Sequence, residues 1–524
     1  MEKQKLSKVY YSLLHWHDFR MKLFVEGILS GLFAGIIIVA FRFLLEKAES
    51  LRAFVYLSFQ AGKGELMILW FLGLMSVAYI LHWIVTIEPM AGGSGIPQVK
   101  GAILGMMKMQ WLRILAAKFF GGVLAIGAGL SLGREGPSIQ LGAMVGQGIS
   151  RLLGRTKMEE RYLLTSGASA GLSAAFNAPL SGVIFSLEEL HKNFSPAVLM
   201  SAITAAVTAD VVTQQFFGYA PVFRFAKLPD LPAYYFVIVL MVGLTMGILG
   251  AVFNVGLLKT LSLYEKQQNW LKGPRKAALP LFTAGLIGFV LPDILGGGND
   301  LVNQLAGTQF NFTILVVLLL GKFFFTMLSY GSGVPGGIFL PMLVLGALGG
   351  GLFSQIMVYF GQMDAMYMMN MIVLSMAACF AAVVKAPVTG SVLIMEMTGS
   401  FNHLLPLILV SMIAYLVADI GKVKPVYEAL LNRSLRAQGK AYTGLNPGKR
   451  QVIELVVCMG SQLDKKKVKQ INWPHQALLI SIKRGEEELL PRGDTRLATG
   501  DYLYILAEEN QLQALRELAA EGQW

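Results

Sequence analysis

Three short glycine- and proline-rich motifs interrupt long apolar stretches of this chain: Gly93-Ser94-Gly95-Ile96-Pro97, Gly133-Arg134-Glu135-Gly136-Pro137 and Gly336-Gly337-Ile338-Phe339-Leu340-Pro341. Each breaks sequence that otherwise reads as a membrane helix, and each is followed by apolar residues able to restart one. Non-helical backbone is tolerated at membrane depth only where it is buried in protein or lines a polar cavity. A helix starting at such a break presents free N–H groups and the positive end of its dipole, a setting that suits an anion. The second motif adds a carboxylate, Glu135, at one of these starts. Together the motifs imply an anion site inside a membrane, with a titratable acid beside it.

Composition agrees with a membrane setting. Of 524 residues, 55% are hydrophobic and only 15% charged, where a soluble domain carries about 25% charged residues. Charge-free spans recur at Leu66 to Ile87, Tyr162 to Leu187, Leu231 to Leu258, Phe323 to Met363 and Ala365 to Val384; a spanning helix needs roughly 20 such residues. The expected class is an all-α polytopic membrane protein with many short or interrupted segments. The net charge of +12 does not require a nucleic-acid partner, because basic loops beside membrane helices account for it. Lys3, Lys5, Lys8, Arg20 and Lys22 precede the first span, and Lys422, Lys424, Arg433, Arg436 and Lys440 follow the last. Both termini are therefore expected in the cytoplasm. The first apolar segment, Leu23 to Phe41, lacks a cleavage pattern and is expected to stay as an anchor. Cys379 and Cys458 sit in different regions, so neither a disulfide framework nor a metal site is indicated. The 26 methionines read as flexible apolar packing.

The chain is expected to divide into a basic cytoplasmic helix (1–22), a membrane domain (23–437), a linker (438–449) and a small soluble α+β domain (450–524). In the last, alternating runs such as Val452 to Val457, Leu478 to Ile482 and Tyr502 to Leu506 read as short strands, with a helix from Glu509 to Ala519. The membrane part contains a repeat. Asn177-Ala178-Pro179-Leu180-Ser181-Gly182 matches Lys385-Ala386-Pro387-Val388-Thr389-Gly390, each leading to an acid, Glu188 or Glu396. Gly133 with Pro137 likewise matches Gly337 with Pro341. One duplication, offset by about 205 residues, explains both pairs. Transporters with inverted repeats place their ion site between broken helices at the repeat interface.

These residues, in order, together with Lys118-Phe119-Phe120-Gly121-Gly122 and Lys424-Pro425-Val426-Tyr427, resemble the CLC family of chloride channels and transporters over about residues 23–437. The resemblance implies a homodimer with one anion pathway per subunit, built from two inverted halves of many short tilted helices. By resemblance, Ser94 and Tyr427 offer hydroxyls to a central chloride, and the backbone N–H groups of Ile338 and Phe339 complete the site. Glu135 resembles the family's gating glutamate, which competes with chloride for the same donors when ionised and withdraws when protonated. Glu189, in Phe185-Ser186-Leu187-Glu188-Glu189-Leu190, falls where the family's exchangers carry an internal proton-transfer acid and where channel members usually lack one. Chloride/proton exchange is the expected function, and a passive ligand-gated chloride channel the alternative. Serine at position 94 is the family's chloride pattern; fluoride exporters carry methionine there and nitrate-preferring relatives proline.

The tail resembles the TrkA-C (RCK-C) domain of potassium-transport regulators, in its Val452 to Val457 strand, Ile482-Lys483-Arg484-Gly485, Leu490-Pro491-Arg492-Gly493-Asp494 and Gly500-Asp501-Tyr502-Leu503-Tyr504. Some relatives of that tail bind cyclic di-AMP at a dimer interface, which by rough alignment implies a wall of Ile471, His475, Leu478 and Pro491. The combination implies a bacterial plasma-membrane protein, with chloride and protons as substrates and no cofactor.

Plainer readings stand beside these. Glycines in membrane helices serve close packing, Glu135 would suit a simple helix start, Glu189 a structural charge facing an aqueous vestibule, and Tyr427 an interfacial belt. Gly92-Gly93-Ser94-Gly95 also fits the G-x-S-G string of rhomboid proteases. That chemistry needs a histidine at the serine and explains neither the Glu135 motif nor the repeat, so no catalytic residue and no enzyme are expected.

Overall fold

The structure, a computed structural model, describes residues 2–60, 66–192, 195–223, 225, 228–267, 269–307, 310–437, 450–458, 460–474, 477–484, 487–508 and 511–519. The expected linker 438–449 lies outside the described residues, as does His475. The chain divides into two compact units, Met1–Leu431 and Asn432–Trp524.

The helices up to the tail are α1 (Glu2–Gln60), α2 (Leu66–Ile87), α3 (Ile96–Ile103), α4 (Trp111–Gly127), α5 (Glu135–Leu152), α6 (Lys157–Phe176), α7 (Pro179–Phe185), α8 (Pro196–Phe217), α9 (Phe236–Lys266), α10 (Arg275–Val290), α11 (Asn299–Gly307), α12 (Phe312–Gly331), α13 (Phe339–Tyr359), α14 (Met368–Val384), α15 (Pro387–Thr398), α16 (Leu404–Ile420) and α17 (Val426–Ala437). Among the described residues, eight helices are long and apolar enough to cross a membrane, and the protein is a multi-pass membrane protein. The basic segment 1–22 is not a separate helix. It is continuous with the first span in α1, because no proline or glycine stands between Glu2 and Gly27 to stop it.

All three motif breaks appear where the glycines stand: α3, α5 and α13 start within or just after them. Proline occupies the first turn of α3, α7, α8 and α15, where its missing N–H removes no helical bond. The duplicated Asn177 and Lys385 end α6 and α14 in the same left-handed conformation, at φ 52° and 62°.

Burial is uneven among the spans. About nine-tenths of α14 is covered by protein and about one-sixth of α2. The inner helices owe their depth to small residues. A Cβ at Gly27 of α1 would stand 2.9 Å from the Ser201 carbonyl oxygen of α8. On α5, side chains at Gly142 and Gly146 would collide with the Gly167 and Leu163 carbonyls of α6. Close backbone approach of this kind replaces the hydrophobic drive that lipid cannot supply.

The second unit holds an antiparallel sheet of β1 (Arg450–Val456), β2 (Leu478–Arg484), β3 (Glu487–Leu489) and β4 (Tyr502–Glu508), in the order β1-β4-β2-β3, with α18 (Leu512–Ala519) following. Its own apolar core gathers Ile453, Leu455, Ile482, Leu503, Ile505 and Leu515. Arg484 donates to both carboxylate oxygens of the buried Asp501 at 2.8 Å. This is the small α+β domain expected from the alternating pattern.

The packing of α5 on α6 is open to test. Gly142→Val forces backbone against backbone and is expected to destabilise the membrane unit by about 1–3 kcal/mol or more, seen as a lower thermal midpoint in detergent. Gly73→Val, where nothing lies within 4 Å, is expected to leave the midpoint unchanged.

Candidate functional site

The site begins with the accounting of backbone groups at the helix breaks. Gly133 and Gly337, equivalent residues of the repeat, form an isolated antiparallel bridge, each amide donating to the other's carbonyl at 2.7 and 2.8 Å. The Gly93 amide donates to the Gly333 carbonyl at 3.1 Å, and the Gly336 amide to the Gly93 carbonyl at 3.0 Å. Two buried lysines serve the free carbonyls. Lys118 Nζ donates to Ala91 O at 3.0 Å and Gly93 O at 2.6 Å. Lys322 Nζ donates to Ile294 O at 2.9 Å and Gly296 O at 2.7 Å. The three motifs are thus tied into one unit by the protein's own hydrogen bonds, as broken helices in a membrane require.

Ser94 stands between Gly93 and Gly95, whose φ values of 62° and 91° are those of a left-handed backbone that glycine adopts without strain. This turn aims Ser94 at the start of α5: a Cβ at Gly136 would stand 2.5 Å from Ser94 Oγ and 3.3 Å from Gly337 Cα. The first bond of the α13 ladder runs from the Met342 amide to the Ile338 carbonyl. The amides of Ile338 and Phe339 precede that ladder and are free for another acceptor. The Phe339 ring is held by Phe176, Phe185 and Phe380, with centroids at 5.5, 5.9 and 4.9 Å. Tyr427, near the start of α17, packs edge-on to Phe185 at 6.4 Å.

Ser94 Oγ, Tyr427 OH and both carboxylate oxygens of Glu135 are buried without a hydrogen-bond partner in the protein. A buried polar atom left so costs about 1–3 kcal/mol. Unpartnered hydroxyl donors and unladdered amides are the chemistry an anion would need, and the four residues expected from the sequence, Ser94, Ile338, Phe339 and Tyr427, carry them here.

Glu135 opens α5 and is fully buried. A Cβ at Gly133 would collide with Glu135 Oε2 and lie 3.1 Å from the Leu340 amide nitrogen, so the carboxylate sits at the start of α13. A cavity of about 820 Å³ opens beside Arg134 and Leu340, with Arg52, Glu49 and Asp300 in its wall.

Glu189 lies in a π-helical turn, Ser186–His191. Such widened turns recur at functional sites, and this one gives the two adjacent acids different partners. Glu188 accepts from the Val388 and Thr389 amides at 3.4 and 2.7 Å and from Thr389 Oγ1 at 2.6 Å. Its repeat partner Glu396 accepts from the Leu180 and Ser181 amides at 3.1 and 2.7 Å and from the Ser181 hydroxyl. Each of these acids caps a helix of the opposite half. Glu189 instead is buried and accepts from Lys100 Nζ at 2.6 Å.

Sequence reading passed over Lys100 and Lys322. Lys100 is the one charge in the eight residues of α3, and Lys322 repeats Lys118 in the second half; both signals were in the chain. In the tail, Ile471 belongs to the apolar core, while Leu478 is 61% exposed and Pro491 partly exposed.

Fold and site together define a membrane protein of broken, duplicated helices around a buried cluster of unpartnered polar groups. The family model for the voltage gated chloride channel matches residues 72–419, and that for the TrkA-C domain residues 452–520. The chain belongs to the voltage gated chloride channel (CLC) family and carries a C-terminal TrkA-C domain. It is 37% identical over 402 residues to the H(+)/Cl(-) exchange transporter ClcA of Vibrio cholerae serotype O1, covering 73% of this chain and 84% of that protein. It is 36% identical over 358 residues to ClcA of Yersinia pestis bv. Antiqua, covering 67% and 75%. Among solved structures, a slow cyanobacterial Cl-/H+ antiporter superposes with a TM-score of 0.76 at 29% identity, covering 80% of this chain and 99% of that one. A CLC-type fluoride/proton antiporter, at 22% identity and a TM-score of 0.64, shares the fold.

Tyr427→Phe keeps the ring against Phe185 and removes only the hydroxyl. It is expected to weaken binding of bromide, used as a halide probe in calorimetric titration, by roughly 3- to 10-fold, the worth of one hydrogen bond.

Proposed function

We propose that this protein exchanges chloride for protons across a bacterial plasma membrane, as a homodimer with both termini in the cytoplasm. One observation carries the reading: two acids, Glu135 and Glu189, are buried in the membrane unit, Glu135 at the helix breaks with both carboxylate oxygens unpartnered and Glu189 on the Lys100 ammonium. Chloride binds Ser94, Tyr427 and the amides of Ile338 and Phe339. The Glu135 carboxylate competes for those donors while ionised and leaves them when protonated. Glu189 passes protons between Glu135 and the cytoplasm. An ionisable residue buried in a membrane is expensive and is kept where it works; a chain that only conducted chloride would have no use for Glu189. The names of the relatives, exchange transporters and an antiporter, support the same reading. No step of it is enzymatic and no cofactor enters.

The test uses purified protein in chloride-loaded liposomes under an outward chloride gradient, recording external pH and chloride with and without a proton ionophore. Exchange drives uphill proton uptake that the ionophore abolishes. Glu135→Gln, which mimics the protonated acid, is expected to keep chloride flux and lose proton coupling, and Glu189→Gln to do the same. Chloride release with no proton movement in the parent protein would make it a channel.

The tail is proposed to regulate transport by binding a small ligand, with cyclic di-AMP as the candidate and Ile471, His475, Leu478 and Pro491 as its wall. The burial of Ile471 in the tail core assigns it a supporting position there. Titration of the purified protein with cyclic di-AMP is expected to release heat and raise the thermal midpoint; neither effect at generous ligand would remove the proposal.

A further inference from the structure

We infer that Lys100 is a positioning residue of the inner proton site: its ammonium holds the Glu189 carboxylate as an anion in one geometry and so sets the pH at which that acid takes up a proton. The inference rests on the exchange reading and goes beyond it, because it makes the proton carrier a pair.

The geometry is direct. Lys100 Nζ and Glu189 Oε1 are 2.6 Å apart, with side chains 1% and 4% exposed. Two opposite charges removed from water at this distance are strongly interdependent, and loss of either leaves the other buried without a counter-charge. The remaining charged groups around Glu189 stand nearer to water. Lys192, which follows the π-helical turn, and Glu428 of α17 pair at 3.1 Å and are partly exposed; both act on Glu189 from a distance. From α6, Arg161 acts on His191, two residues along the same turn. From α17, Tyr427 stands one residue before Glu428, with its ring against Phe185.

The proton balance is simple. A proton from cytoplasmic water adds to a Glu189 oxygen, the carboxylate becomes a neutral acid, and the Lys100 N–H bond to it persists as a bond from a cation to a neutral acceptor. The ion-pair attraction is lost, so Lys100 opposes loading and favours release. The pair also connects to the anion site through the backbone. Lys100 is on α3, the helix started by the Ser94 motif, and four residues of helix separate it from Ile96, about 6 Å along the axis. Any shift of the pair on protonation therefore acts on the helix that aims Ser94.

The experiment is the pH profile of coupled proton uptake in liposomes, varying the pH on the side that loads Glu189, for the parent, Lys100→Gln and Lys100→Arg. Removing the cation is expected to move the midpoint of the Lys100→Gln profile to higher pH by about 1–3 units, the usual effect of an adjacent opposite charge. Lys100→Arg, which keeps the charge, is expected to restore the parent profile. A Lys100→Gln profile that superimposes on the parent, with coupling intact, overturns the proposal. Absence of coupled proton movement in the parent itself overturns the exchange reading, and this inference with it, before any variant is compared. Should Lys100→Gln fail to fold, thermal midpoints decide. Glu189→Gln strands the buried ammonium and is expected to lower the midpoint, while the double variant Lys100→Met/Glu189→Gln recovers it; equal midpoints for the two overturn the pairing.

Discussion

Everything in the membrane unit depends on satisfying backbone groups where helices are broken away from water. An intact helix satisfies its own N–H and C=O groups, so a break in lipid is forbidden unless other groups take over. The chain meets this with few devices. The Gly133–Gly337 bridge pairs the two central breaks with each other. Lys118 and Lys322 bring ammonium donors to carbonyls at the approaches. Glu188 and Glu396 bring carboxylates to the amides that open α15 and α7. At the breaks themselves the amides at the start of α13 lie outside the helical ladder, and the Ser94 and Tyr427 hydroxyls and the Glu135 carboxylate have no partner among the described residues. The proposed anion site is made of these groups, the part of the break that the protein's own bonds leave open.

This arrangement gives selectivity by sign without placing a full positive charge against the anion. Lys118 and Lys322 are committed to carbonyls, and Arg134 lines the cavity beside Leu340. The donors left for the ligand are dipoles: N–H groups at a helix start and hydroxyls. Such donors bind an anion without holding it irreversibly, which transport requires. They also accept a carboxylate as readily as a halide. On the proposed reading Glu135 occupies the place of the ion it regulates, and protonation, by removing its charge, ends the competition.

Much of this was legible in the chain because the constraints are local. Glycine at 95 and 133 marks places where a side chain would collide, glycine at 93 a left-handed backbone, and proline first turns; all are readable without coordinates. The breaks at α3, α5 and α13, the duplicated helix ends at Asn177 and Lys385, and the strand pattern of the tail follow from such signals. The continuity of α1 through residue 22 runs against the boundary that basic composition suggests, because a change of charge does not interrupt the backbone ladder and no glycine or proline stands there. The Lys100–Glu189 pair was missed for another reason. Its partners are 89 residues apart, and pairing across that distance is set by tertiary packing, which periodicity does not encode.

The duplication also separates structural from chemical residues. A residue kept in both halves serves the architecture common to both: Gly133 with Gly337, Pro137 with Pro341, Lys118 with Lys322, Glu188 with Glu396. A residue changed between the halves is free of that duty. Two positions after the bridging glycine, the first half carries Glu135 and the second Phe339. One half thus supplies a titratable acid, and the other supplies an amide fixed by an aromatic ring. Directly after the capping acid, the first half carries Glu189 and the second Met397. Both acids on the proposed proton route fall where the symmetry is broken, and both lie in the first half. A symmetric frame with its proton chemistry confined to one side has direction, and a pathway that must couple an anion moving one way to a proton moving the other needs that asymmetry.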